Sequence, residues 1–79
     1  MHAAVDGGKI RRLRQARKWS VEDLVFEARK RGYSLGAQTV ILTETGKRPA
    51  LRASTLKAIS DTLGVPMDDL MSELEEATI

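Results

Sequence analysis

Basic side chains carry most of the recognisable chemistry of this sequence, and they are concentrated in its first part. Of the 13 Lys and Arg residues in the 79-residue chain, 12 lie within residues 1–52, with only 5 of the 11 Asp and Glu residues. Residues 53–79 contain one basic side chain, Lys57, and six acidic ones. This division makes the molecule dipolar, with a basic half that attracts polyanions. Nucleic acid is the first candidate partner, although the same cations are compatible with a solvated helix face.

Side chains suited to catalysis or metal binding are scarce. The sequence has no Cys, its only His is His2 in a segment expected to be mobile, and no carboxylate pair accompanies a glycine-rich phosphate loop. We therefore expect no catalytic residue, no metal site and no cofactor, in a chain that is not an enzyme. The lack of Cys, and apolar runs of at most three residues, favour a soluble protein of the reducing cytoplasm.

Helical periodicity extends along the chain, and no segment shows the alternation typical of a strand. Ser20 is a good helix N-cap, Gly32, Gly46 and Gly64 are suited to ending helices, and Pro66 suits a first helical turn. The predicted helices cover residues 9–18, 20–31, 36–45 and 53–63, and a fifth helix begins at Pro66 and contains Met67, Leu70, Met71 and Leu74.

The chain is long enough for a single domain only. We place this domain at residues 9–74, between a flexible lead at residues 1–8 and an acidic tail at residues 75–79. Five short helices with brief connections predict a compact all-α fold, with Trp19 as a packing residue. The second and third helices, separated by a short turn that contains Gly32, have the helix-turn-helix arrangement, in which the second helix can enter a DNA major groove.

Three blocks of sequence resemble the Cro and phage-repressor (XRE-type) helix-turn-helix family. The blocks are KIRRLRQARKWSVEDL at residues 9–24, TVILTETGKRP at residues 39–49 and TLKAISDTLGVPMDDL at residues 55–70. Their order and approximate spacing match those of the family, so the resemblance covers about residues 9–71. It implies a compact, five-helix, lambda-repressor-like domain that binds operator DNA, usually as a dimer, with the third helix in the major groove.

The resemblance assigns DNA contacts to the third helix and to the basic residues around it. The assigned residues are Ala37, Gln38, Thr39, Ile41, Leu42, Lys47, Arg48, Arg17 and Lys18. Gln38 falls at an early base-contacting position, where a carboxamide can bridge adenine N6 and N7, although its alternative role is that of a solvated surface residue. Lys47 and Arg48 fall in the loop that grips the DNA backbone in the family. Arg17 and Lys18 are placed to do so from the other side.

The resemblance also implies a structural ion pair between Arg14 and Glu44, which match a pair that ties the first helix to the end of the third. A partly buried carboxylate needs a charged donor, and a guanidinium supplies two hydrogen bonds to it. The alternative is that both side chains are solvated.

Two assignments stay open in the third helix, because Thr39 and Thr43 each face either a phosphate or the core.

The sequence departs from the family within the helix-turn-helix unit. Val21 replaces a common Gln that contacts a phosphate, and residues 29–33 add a basic cluster that either reaches the backbone or stays an exposed loop. In the third helix, Val40 can face the core. Because successive helical residues are rotated by about 100°, at least one of Ile41 and Leu42 must then point away from the core. Apolar side chains there limit hydrogen-bonded base recognition, or else form a protein-binding patch.

These observations favour a sequence-specific, repressor-like transcription regulator that binds double-stranded DNA. The alternative is a helix-turn-helix module that serves as a protein-interaction or antitoxin-like subunit and binds its partner through Ile41 and Leu42. We expect a homodimer on DNA because one small domain covers about half of a two-fold operator. Leu70, Met71 and Leu74 are candidate interface residues, or they pack on their own core.

Overall fold

Residues 2–72 are described by the structure, a computed structural model, and form five helices and one two-stranded sheet. The elements in chain order are β1 (His2–Ala4), α1 (Gly7–Ala16), α2 (Val21–Lys30), α3 (Ala37–Glu44), β2 (Ala50–Arg52), α4 (Ala53–Leu63) and α5 (Met67–Leu70). The second, third and fourth predicted helices agree with α2, α3 and α4 to within one residue at each end. The predictions for Leu74 and for residues 75–79 lie outside the described residues.

A small antiparallel sheet corrects the prediction of an all-α fold. The register of β1 and β2 pairs His2 with Arg52, Ala3 with Leu51 and Ala4 with Ala50. The sequence predicts no strand here because three-residue strands are too short to show alternation, and alanine is a weak strand former. The pairing therefore depends on contacts between distant parts of the chain. Within residues 2–72 the fold is mostly helical, with this one sheet.

The described part of the segment expected to be a flexible lead, residues 1–8, forms contacts with the rest of the chain. Val5 is 7% exposed and forms an isolated antiparallel bridge with Met71. The N–H of Asp6 donates to the carbonyl oxygen of Leu70 at 2.8 Å. The chain before α1 is thus attached both to β2 and to the end of α5.

Helix α1 begins and ends two residues earlier than predicted. Asp6 is its N-cap, because the Asp6 Oδ1 atom accepts a hydrogen bond from the Lys9 N–H at 3.1 Å, and the helix therefore starts at Gly7. At the other end, Lys18 has a φ of +61°, in the left-handed region. A residue in that conformation cannot continue a right-handed helix, so α1 stops at Ala16.

The helix-turn-helix unit consists of α2, the turn after it and α3. Ser20 caps α2, since its Oγ accepts from the Asp23 N–H at 3.0 Å and the Asp23 Oδ2 accepts from the Ser20 N–H at 2.9 Å. Gly32 follows α2 with a φ of +88°, which favours glycine. Leu35 is buried and anchors the turn in the core, and Gly36 is the extended residue before α3.

The core lies between the inward faces of the helices. The largest fully buried apolar side chains are those of Ile10, Leu24, Leu56, Ile59, Leu70 and Val40. Leu70 belongs to this core and Met71 packs against it, so of the two roles open for these residues the structure favours packing within the domain. Trp19 is half-buried and also packs against the core, as predicted. None of the helices in residues 2–72 has the length and apolar character needed to span a bilayer.

Candidate nucleic-acid interface

Helix α3 presents one stripe of side chains to solvent. Gln38, Ile41 and Thr45 are exposed, and their spacing of three and four residues places them on one side of the helix. Ile41 retains 42% of its exposure, whereas Val40 is fully buried and Leu42 is half-buried. The helix is therefore held by one face and leaves the other open, with Ile41 as the apolar residue that points away from the core.

The other residues predicted to contact DNA from α3 lie beside this stripe. Ala37, Thr39 and Leu42 are all half-buried. Thr43 is 1% exposed and its Oγ1 donates to the Thr39 carbonyl oxygen at 2.7 Å, so Thr43 belongs to the core. Thr39 stays at the surface, where its Oγ1 accepts a long hydrogen bond of 3.4 Å from Arg48 Nη1.

The loop after α3 brings two basic residues to the end of the stripe. Gly46, with a φ of +82°, turns the chain out of the helix, and Lys47 and Arg48 follow it as exposed residues. The Arg48 N–H donates to the Leu42 carbonyl oxygen at 3.0 Å, which fixes the loop against the end of α3. Cations at the margin of an open helix face are suited to phosphates on either side of a groove.

Arg17, also predicted to contact the DNA backbone, has partners within the protein. Its Nη2 donates to the Leu63 carbonyl oxygen at 2.7 Å, and its guanidinium lies 5.0 Å from the centroid of the Trp19 ring. These contacts tie the turn after α1 to the C-terminal end of α4. Lys18 is exposed in the same turn. A phosphate would therefore have to compete with the Leu63 carbonyl for Arg17.

A bidentate ion pair joins α1 to the end of α3. Arg14 Nε donates to Glu44 Oε2 and Arg14 Nη2 donates to Glu44 Oε1, both at 2.8 Å, and Nη1 donates to the Trp19 carbonyl oxygen at 2.8 Å. The Arg14 and Glu44 side chains are only 11% and 6% exposed. The hydrogen bonds to Glu44 raise the pKa of Arg14 above its ordinary value, although burial acts in the opposite direction. The pair thus holds the last residue of α3 at a defined distance from α1.

The basic cluster at residues 29–33 is partly neutralised by its own helix. Lys30 Nζ lies 3.1 Å from Glu27 Oε2, and Arg31 Nη1 lies 3.1 Å from Glu27 Oε1. The hydrogen bonds from Lys30 and Arg31 lower the pKa of Glu27. Two of the three cations in this segment, those of Lys30 and Arg31, therefore already form ion pairs within the protein. The cluster has less unpaired positive charge for a partner than its sequence indicates.

One acidic residue of α4 holds the turn between α2 and α3. The hydroxyl of Tyr33 donates to Asp61 Oδ2, and Lys57 Nζ lies 3.3 Å from the same oxygen. The hydrogen bond from Tyr33 is the main cause of the lowered pKa of Asp61.

The described residues hold no group of three or more His, Asp or Glu side chains arranged to bind a metal ion.

The most exposed large apolar side chain in the described residues is not among the predicted site residues. Phe26 on α2 is 60% exposed, and Lys30 Nζ lies 5.0 Å from the centroid of its ring. The sequence does contain a signal for this position. Leu24 and Val25 both face the core, and Phe26 is rotated by about 200° from Leu24 and about 100° from Val25, so it must face outward.

Comparison with known families agrees with this geometry. A family model described as the Cro/C1-type HTH DNA-binding domain matches residues 9–73, which is most of the chain. No curated protein and no solved structure was found to match. Domains of this class are typically not enzymes. The match includes both helices of the helix-turn-helix unit, the Arg14 and Glu44 pair and the basic loop after α3. The chain therefore belongs to the family of Cro/C1-type helix-turn-helix DNA-binding domains.

Proposed function

We propose that the chain is a sequence-specific, repressor-like transcription regulator that places α3 in the major groove of an operator. The observation that carries this proposal is the open face of α3, with Gln38 and Ile41 exposed and the exposed Lys47 and Arg48 beside it. In a DNA-binding domain, an exposed helix face bordered by cations is the surface expected to meet base edges and phosphates together.

Residues of this surface have distinct roles in the proposed complex. Gln38 forms hydrogen bonds to a base edge, since its carboxamide has both a donor and an acceptor. Ile41 contacts thymine methyl groups, with Ala37 and Leu42 contributing from the edges of the stripe. The half-buried Thr39, whose hydroxyl lies beside Arg48, contacts the sugar-phosphate backbone.

The contacts to the DNA backbone come from two sides of the helix-turn-helix unit. Lys47 and Arg48 bind phosphates from the loop after α3, and Lys18 binds one from the turn after α1. Arg17 contributes less, because it already donates to the Leu63 carbonyl oxygen. These contacts supply affinity for any duplex and leave sequence preference to α3.

We also propose that two copies of the chain bind a two-fold operator. One recognition helix covers one half-site, and two half-sites on the same face of the duplex are about one helical turn apart. Leu70 is fully buried and is not free to form the contact between the copies, whereas Met71 packs against the core but is only half-buried.

Selection from a pool of random duplexes tests this function. We expect one related set of sites to be enriched, and we expect log Kd for the enriched site to depend linearly on log salt, with a slope near 0.9 for each phosphate neutralised. Failure to enrich any sequence from a folded, soluble sample would contradict operator recognition. Duplex binding without a preferred site would keep DNA binding and remove the sequence-specific part.

A protein-interaction or antitoxin-like role is the second candidate, and the exposure of Ile41 favours it. An apolar side chain that is 42% exposed on an open helix face can insert into a partner groove. Ile41→Gln separates the two functions. A DNA-binding domain should keep most of its affinity for duplexes, whereas a domain that binds a protein through Ile41 should lose that partner and bind no DNA.

A further inference from the structure

An open cavity of about 480 Å³ lies between the sheet and α3. Its polar and basic lining residues are His2, Arg48, Arg52, Thr39 and Thr55. None of the described residues that line it is acidic. The cavity therefore borders both the N-terminal strand β1 and the helix α3. Neither His2 nor Arg52 is among the residues for which the sequence predicts a DNA contact.

The register of the sheet places His2 and Arg52 next to each other. His2 and Arg52 are direct cross-strand partners, and such partners project from the same face of a sheet. Both are exposed, while their neighbours Ala3 and Leu51 pack against the core or belong to it. One face of this two-stranded sheet is therefore attached to the domain, and the other carries an imidazole beside a guanidinium.

The cations of this cavity are available to a ligand. The Arg52 side chain forms no hydrogen bond or ion pair with another described residue, and Arg48 makes only the long 3.4 Å hydrogen bond to Thr39 Oγ1. Arginine presents several N–H donors in a fixed plane, a geometry that suits the oxygens of a phosphate. The hydroxyl groups of Thr39 and Thr55 add donors of the kind that commonly contact phosphates.

A second cavity of similar size has a different composition. It has a volume of about 470 Å³ and lies between α1 and α5, where Lys9 and Arg12 face Asp6, Asp68 and Asp69. Because acids outnumber bases there, an anion would be repelled. Of the two cavities, only the one beside α3 has the charge that a phosphate requires.

We propose that the cavity bordered by His2, Arg48 and Arg52 binds a phosphate group, which in the DNA complex is a backbone phosphate adjacent to the bases contacted by Gln38. The position follows from Thr39, which lines the cavity and is the next residue after Gln38 in α3. The choice of a DNA phosphate rests on the proposed function. The consequence is that the sheet, and with it the N-terminal strand, forms part of the DNA-binding surface.

Single neutral linkages in the duplex test the proposal. The selected duplex is prepared with one methylphosphonate at each backbone position in turn, and affinities are measured for the wild-type protein, Arg52→Gln and Arg12→Gln. Arg12→Gln is the matched control, since it removes the same charge from an exposed residue beside the second cavity. Both variants should keep the wild-type melting temperature, because neither arginine side chain has a partner within the described fold.

Neutralisation should weaken wild-type binding at several linkages. We expect one of them, with a loss of roughly tenfold, to be the linkage at the cavity, since a charge-assisted hydrogen bond is lost there. At that linkage, neutralisation should weaken the binding of Arg52→Gln less than that of the wild type, because one contact to the phosphate is already gone, whereas Arg12→Gln should lose as much as the wild type. In the unmodified duplex the salt slope of Arg52→Gln should be shallower by about 0.9, the value for one phosphate. Equal effects of both variants at every linkage would overturn the assignment to a DNA phosphate.

A titration with inorganic phosphate at constant ionic strength distinguishes the source of the group and does not depend on operator binding. Chemical-shift changes confined to His2, Arg48 and Arg52, and abolished by Arg52→Gln, support a phosphate site. If these changes appear while no duplex binds, the proposed function fails and the source is a free phosphorylated compound. If neither the linkage scan nor the titration singles out Arg52, the cavity is not a phosphate site.

Discussion

Gly7 in the first turn of α1 lies directly against the backbone of Thr43 in α3. A Cβ atom on Gly7 would overlap the Thr43 carbonyl oxygen and stand 2.8 Å from its carbonyl carbon. Because the obstacle is backbone, no rotation of a side chain can relieve the overlap. The position of the recognition helix therefore depends on a residue with no side chain, at the opposite end of α1 from the Arg14 and Glu44 pair.

Gly7→Ala should destabilise the domain and displace α3. The added methyl group must push the two helices apart, and overpacking of this kind costs about 1–3 kcal/mol or more in free energy of unfolding. Gly8→Ala is the matched control, because its Cβ would meet only Asp6 Oδ1 at 3.4 Å and Arg12 Nη1 at 3.5 Å. That variant should be neutral or more stable by up to about 1 kcal/mol, since alanine favours helix. Urea unfolding of both variants measures the difference, and equal stabilities would show that the helices adjust freely.

Glu44→Ala should lower stability much more than it alters sequence preference. The substitution leaves Arg14 almost buried without its carboxylate, and breaking a buried pair in this way costs about 3–5 kcal/mol. Glu27→Ala, which removes an acid paired with the exposed Lys30 and Arg31, should change stability little. Thermal unfolding and duplex selection check the two parts. A Glu44→Ala protein that melts like the wild type but prefers another site would contradict the structural role.

Lys18→Gly should stabilise the domain by about 1 kcal/mol, because glycine adopts the observed φ of +61° without the steric penalty that a Cβ imposes. Lys18→Ala removes the same charge but keeps the Cβ, and it should show no such gain. If Lys18 contacts a phosphate, both variants should bind duplexes equally more weakly than the wild type. Urea unfolding and duplex affinity measured on the same two proteins thus separate backbone strain from DNA binding. A gain of stability in both variants would assign the effect to charge.

Tyr33→Phe should reduce stability near neutral pH but not in acid. The hydrogen bond from Tyr33 lowers the pKa of Asp61 in the folded state. A carboxyl group with a lowered folded pKa contributes stability above its unfolded pKa, and this contribution disappears as pH falls through the folded value. The difference in urea midpoint between wild type and variant should therefore shrink as the pH is lowered through that range. In an Asp61→Asn background the same substitution should show no such pH dependence, and persistence of the trend there would implicate another group.

Local chemistry predicts those parts of the fold that local contacts form. The Ser20 cap, the left-handed glycines Gly32 and Gly64 and the apolar spacing give the limits of α2 and α4 almost residue by residue. The prediction that Ile41 or Leu42 must turn away from the core also follows from helix geometry alone, and the structure selects Ile41.

Contacts between distant residues explain what the sequence does not predict. The close approach of Gly7 to Thr43 and the pairing of His2 with Arg52 join residues from opposite parts of the chain, and neither has a local signal. The same reason accounts for Arg17, whose bond to the Leu63 carbonyl oxygen depends on where α4 ends in space. The candidate site is thus predictable along α3 and not at the sheet beside it.

Gln38→Ala and Arg48→Ala should affect DNA binding in different ways. Gln38→Ala removes the carboxamide and with it the hydrogen bonds to a base edge. Discrimination between bases should therefore fall by about 1–3 kcal/mol at one or two positions of the preferred site, with an unchanged salt slope. Without its guanidinium, the loop after α3 loses a phosphate contact, so Arg48→Ala should weaken binding to every sequence and reduce the salt slope by about 0.9. Selection profiles and salt titrations of both variants check these outcomes. An unchanged preferred site in Gln38→Ala would remove Gln38 from base recognition, and sequence preference would then have to come from Ile41 and its neighbours or from the shape of the duplex.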